Sequence, residues 1–191
     1  MKPDLDNLRH VVEEKLPGRA AHIFGCEKTA AKLARCWNVD EEKARFAALL
    51  HDITKQYSHI EQLKFVQKYD ILVDKDFDRF PALAHAVTGA AVARAEYGAD
   101  EEVASAIRYH TTGRPGMTKL EKILYLADYI EPTREFKGLD EVRELAYRDL
   151  DAAVLRSTAD CLMYNLKKMR PIHPITIAAY NEMVETAVRS I

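Results

Sequence analysis

Phe46-Ala47-Ala48-Leu49-Leu50-His51-Asp52-Ile53-Thr54-Lys55 is the stretch that decides how this chain folds. Its first half carries apolar residues at helical spacing. It continues a segment that opens at Asn38-Val39-Asp40, with Glu41 and Glu42 where acidic side chains favour a helix start. The apolar run then stops at a His-Asp doublet. Side chains of adjacent residues diverge in regular structure, so His51 and Asp52 meet a common partner only where a helix ends or bends. The stretch therefore predicts a helix that terminates in two metal-type ligands.

On either side the same periodicity recurs. Ala, Leu, Val and Ile repeat at three- and four-residue spacing in 4–16, 19–37, 41–51, 58–69, 83–97, 101–110, 118–130, 149–169 and 175–190. The one β-branched cluster, Ile71 to Val73, is too short to carry a sheet. Asp100-Glu101-Glu102 after Gly98 repeats the acidic helix start, while Thr112 to Gly116 and Pro171 to Pro174 read as loops. No internal repeat or separating linker interrupts the pattern. The expected fold is all-α, a single domain over 1–191, with a metal-binding core at about 18–134 and C-terminal helices 140–191 packed on it.

Composition narrows the classes of function. With 191 residues, 48% hydrophobic and 30% charged, the chain can bury one real core. A net charge of -2 argues against holding nucleic acid by bulk attraction, so an anionic ligand must meet a local cluster of cations. Apolar runs are far shorter than a membrane span and the N-terminus lacks a signal-peptide profile. Cys26, Cys36 and Cys161 form no CxxC pair and read as small buried thiols in a reducing compartment. The expected location is the cytoplasm.

Among seven histidines, His22, His51, His85 and His110 lie beside small or apolar residues, whereas His10, His59 and His173 have polar or loop settings. A single histidine on an apolar face reads first as a satisfied core imidazole. Four of them with Asp52 and Asp128 strain that reading. Burial without a shared partner would cost on the order of several kcal/mol, and one central ion removes most of it. Spacing alone fixes no metal class, since neither HExxH nor CxxC is present.

Three segments then carry a resemblance: HDITK at 51–55, YHTTGRPGMTKLEKILYLADYIEPTR at 109–134 and MRPIHPITIAAYN at 169–181. With the order His22, His51-Asp52, Asp128, the chain resembles the HD-domain superfamily of metal-dependent phosphohydrolases. Within it, the chain resembles the bacterial YqeK family of symmetrical diadenosine tetraphosphatases. The resemblance implies an HD-type helical bundle in which His22, His51, Asp52 and Asp128 bind a catalytic iron. His85 and His110 match further family histidines. They would complete a second metal position bridged by Asp52, bond a phosphate oxygen, or orient the other ligands. Nitrogen and oxygen donors without thiolate fit iron, manganese or zinc, as one or two ions.

Asp52, Lys55, His85 and His110 are accordingly the candidate catalytic residues. Lys55, Thr111, Arg114 and Arg134 are candidate phosphate groups, with Arg19 and Lys119 behind them. By the resemblance, the nucleotide would be held by His22, Asp52, Ile53, Thr54, Lys55, His85, His110, Thr111 and Arg134. The loop Arg170-Pro171-Ile172-His173-Pro174 would join them; on its own composition it is a rigid connector. Tyr57, Phe80 and Tyr109 could stack on a base, although aromatics at helical spacing are more often core. The expected activity is hydrolysis of diadenosine tetraphosphate to two ADP. The alternatives are another nucleotide phosphohydrolase, acting as nucleotidase or on guanosine alarmones, and a non-catalytic nucleotide-binding domain. The expected partner is a small nucleotide, without nucleic acid or membrane, and a homodimer is left open.

Overall fold

A computed structural model describes residues 4–73 and 76–189, and among these the chain is ten α-helices without a strand. They are α1 (Leu5–Lys15), α2 (Ala20–Cys36), α3 (Glu41–Leu50), α4 (His59–Lys68), α5 (Ala84–Tyr97), α6 (Glu101–Tyr109), α7 (Lys119–Ile130), α8 (Leu139–Leu145), α9 (Leu150–Lys167) and α10 (Pro174–Arg189). Starts are written locally. Asp40, Asp100 and Asp149 accept the backbone N–H of Lys43, Val103 and Ala152, and Ser58/Glu61 and Thr118/Glu121 form capping boxes. The Asp149 side chain accepts that capping bond at 2.9 Å. Replacing it by alanine should lower unfolding free energy by about 1 kcal/mol, read as a lower urea midpoint at unchanged slope.

Packing explains why these helices gather. α7 is apolar on almost every side: Leu120, Ile123, Leu124, Tyr125, Leu126, Ala127 and Ile130 are all buried. A helix of that kind belongs in the centre of a bundle. α2, α3, α6 and α9 surround it, α1 lies on α3, and α5 joins through α6. One continuous core cluster runs from Leu8 to Val154. No helix among the described residues is long and apolar enough to cross a membrane.

Helix positions follow the periodicity to within a residue or two at most ends. α8 is the exception, absent from the periodic segments because seven residues are too few to establish a period. Ile71 to Val73 has no regular structure. The cysteines correct the sequence reading: Cys26 is buried, but Cys161 is only partly buried and Cys36 is exposed, its thiol on the Tyr147 carbonyl at 3.7 Å. α10 has Ala179 as its one buried residue and is drawn back to the 112–116 loop. There the Gly116 N–H donates to Glu182 at 2.6 Å. Gly113, at φ 62°, lets Ala179 come within 3.7 Å of where a Cβ would stand.

Candidate metal and phosphate centre

α3 stops at Leu50 and the chain continues through tight turns: Ile53 N–H to Leu50 O at 3.0 Å, Lys55 N–H to Asp52 O at 2.9 Å and Tyr57 N–H to Thr54 O at 3.2 Å. This tightening lets adjacent His51 and Asp52 face the same point. The other ligand candidates also stand near helix ends. His22 is in the first turn of α2, His85 in the first turn of α5, His110 caps α6, and Asp128 lies in the last turn of α7.

The four imidazoles share one arrangement. Each directs Nδ1 outwards to an acceptor: His51 to Ala48 O at 2.7 Å, His110 to Ile107 O at 2.7 Å, His85 to Ala82 O at 3.0 Å, and His22 to a Glu131 carboxylate oxygen at 3.1 Å. With Nδ1 donating outwards, a neutral ring has its Nε2 lone pair turned inwards, free for a metal. The inward nitrogens converge on Asp52. His51 and His22 approach Oδ2 at 3.4 and 3.7 Å, while His85 and His110 approach Oδ1 at 3.2 and 3.8 Å. His22 Nε2 also lies 3.2 Å from Asp128 Oδ1.

Imidazole nitrogens and carboxylate oxygens that face one another need a proton or a metal cation between them. His51 Nε2 is fully buried and has no hydrogen-bond partner. Donor atoms of His22, Cys26, His51 and Asp128 lie within 4.8 Å of one another, as do those of His51, Asp52 and His110. The residues therefore fit a metal ion, and Asp52 has one oxygen on each histidine pair.

Electrostatics agree. Burial opposes ionisation of Asp52, but the His51 and His85 imidazoles outweigh it and hold its pKa well below the carboxylate range. Asp128 is lowered in the same way, burial being overcome by the His22 hydrogen bond and by His51. Burial lowers His51, yet Asp52 and Asp128 more than reverse it. His110 is pushed down to about 3 by burial, with His51 and His85 adding to the effect, so it presents a neutral ring.

Cations rim the cluster. Arg19 places one guanidinium nitrogen on Asp52 Oδ2 while its buried Nε has no partner. Lys55 Nζ is 3.1 Å from His85 Nε2, and desolvation lowers its pKa against the pull of Asp52. Arg134 bonds the Asp128 carboxylate at 2.8 Å and its carbonyl at 3.1 Å. Thr111 Oγ1 is buried without a partner. His110, Thr111, Asp128 and Arg134 open onto a cavity of about 720 Å³ whose far wall includes Tyr129, Phe136, Tyr164 and Asn165.

Some expected residues are placed elsewhere. Ile53 is core, and the Thr54 hydroxyl is engaged with His85 O at 2.9 Å and with Thr88, so both side chains position the turn. Arg114 is held by Glu121 at 3.0 Å on a separate groove between α5 and α6, and Lys119 reaches the Trp37 carbonyl. Tyr57 packs on Phe65, Phe80 on His173, and Tyr109 under Arg114. His173 lines a small pocket with Phe80 and Arg108, and Arg170 lies over Tyr164, 5.7 Å from the ring centre. Glu131 was missed: a residue before a proline at a helix end carries no signal of burial, yet it is fully buried against His22.

Comparison with known proteins agrees with this geometry. Residues 19–133 match the HD domain. The chain is 42% identical over 167 residues to a Bacillus subtilis protein named symmetrical bis(5'-nucleosyl)-tetraphosphatase, covering 87% of this chain and 89% of that one. A Staphylococcus aureus protein of the same name is 34% identical over 182 residues, covering 93% of each. A Clostridium acetobutylicum crystal structure, described as a predicted HD superfamily hydrolase involved in NAD metabolism, superposes with a TM-score of 0.90. It is 37% identical, and the match covers 95% of this chain and 97% of that one. The HD-domain match over residues 19–133, around a His-Asp doublet at a helix end joined by His22 and Asp128, places this chain in the HD-domain family.

Proposed function

We propose that this chain hydrolyses dinucleoside tetraphosphates, cutting diadenosine tetraphosphate symmetrically to two ADP. The observation that carries the reading is a carboxylate, Asp52, with two imidazoles on each oxygen and Arg19, Lys55 and Arg134 around it. Relatives named for this activity supply the substrate.

His22, His51, Asp52 and Asp128 would hold iron, with His85 and His110 able to complete a second position; manganese or zinc also suits these donors. A bound ion supplies positive charge to phosphoryl oxygens and acidity to water. Arg134 and Lys55 neutralise the tetraphosphate, and the Thr111 hydroxyl donates to a phosphate oxygen. Arg19 keeps Asp52 oriented. One nucleoside enters the cavity walled by Tyr129, Phe136 and Tyr164, with Arg170 over the Tyr164 ring. Water's oxygen ends on one ADP and the bridging oxygen leaves with the other.

The test is incubation of metal-loaded protein with diadenosine tetraphosphate, followed by chromatography of the products. ADP alone is expected. ATP plus AMP would contradict the central cut, and tight binding without turnover would leave only a nucleotide-binding domain.

A further inference from the structure

We propose that Glu131 is the positioning residue of the metal centre: it fixes the tautomer and angle of His22 and thereby sets how tightly the first ion is held. The inference rests on the metal-binding part of the reading above and not on its substrate. Glu131 follows the last turn of α7, three residues after Asp128, so one helix end carries both a ligand and the support of a second ligand.

Its carboxylate receives donors and nothing else. Oε1 accepts from His22 Nδ1 at 3.1 Å and from the Thr133 hydroxyl at 2.5 Å, and Oε2 accepts from the Thr133 backbone N–H at 2.7 Å. Arg134 Nε stands 3.7 Å from Oε1. Three hydrogen-bond donors on one carboxylate favour its ionised form. An anion accepting from Nδ1 makes Nε2 a stronger donor to a metal. α2 is shaped for this contact. A Cβ at Gly25 would meet Glu131 Oε2 at 2.5 Å, so glycine stands where the carboxylate passes between the helices.

Glutamine cannot replace this group. An amide NH2 at Oε2 would face the Thr133 N–H, and at Oε1 it would face the His22 N–H. Glu131→Gln should weaken metal binding about 10- to 100-fold, the usual cost of losing such a support. The measurement is metal titration of the chelated protein against a competing chelator, with thermal unfolding of the metal-free form as the control for folding.

A double-mutant cycle separates positioning from general support. In a His22→Ala background, Glu131→Gln should change metal affinity less than about twofold, because the residue it acts through is gone. Gly25→Ala, which displaces the carboxylate without removing it, should weaken binding in the same direction. The proposal is overturned by unchanged affinity in Glu131→Gln, or by an equal loss with and without His22. Should Glu131→Gln fail to fold, Thr133→Val takes its place in the cycle: a loss of affinity dependent on His22 supports the proposal, and no loss overturns it. None of these readouts involves nucleotide, so failure of the substrate assignment would leave them unaffected.

Discussion

Asp52→Ala is expected to abolish metal retention and to lower turnover of diadenosine tetraphosphate by at least about a thousandfold. The scale is set by single electrostatic groups in active sites, whose removal already costs about 10²–10³. Asp52 alone faces both histidine pairs, so its loss removes a donor from each side and leaves Arg19 without its partner. The fold should persist, because the change leaves the apolar core from Leu8 to Val154 intact. Metal analysis, turnover and far-ultraviolet circular dichroism on one preparation check all three parts. Activity surviving the change would remove the basis for the whole site.

Lys55→Met should have the second largest effect, with a different signature. Lys55 is no metal ligand; its ammonium lies beside His85 at the rim. The variant should keep its metal and lose about 10²–10³ in kcat, or about 3–4 kcal/mol of transition-state stabilisation, as the phosphate charge loses a fixed cation. Metal loss in step with activity would make Lys55 a support of His85, and an unchanged rate would remove it from the mechanism.

The architecture was legible because its signals are local. Helix periods, acidic first turns and a His-Asp doublet at the end of an apolar run need no knowledge of the rest of the chain. His22 and Asp128 stood out by residue type and setting, the resemblance joined them to the doublet as one ligand set, and the geometry brings them within 3.2 Å of each other. What escaped depended on direction and distance. Thr54 follows Asp52 by two residues in a run of tight turns, and sequence does not say that its hydroxyl turns to the His85 carbonyl. Arg114 is paired with Glu121, seven residues on, a contact that helical spacing alone does not announce. Glu131 meets His22 across 109 positions, a pairing no local pattern contains. Arg19 received little weight as a cation near a helix start, yet it touches Asp52.

The outward anchoring of the four rings also governs how protons travel. Relay through an imidazole requires one nitrogen to take a proton while the other releases one. His51, His85 and His110 have Nδ1 fixed on a backbone carbonyl, which cannot carry a proton onward. Those three rings therefore conduct no protons toward the helix bundle, whereas His22 has the Glu131 carboxylate as its outer partner. A proton released when water attacks has two ways out: through His22 toward Glu131, or by the open side of the cavity lined by Thr111 and Arg134.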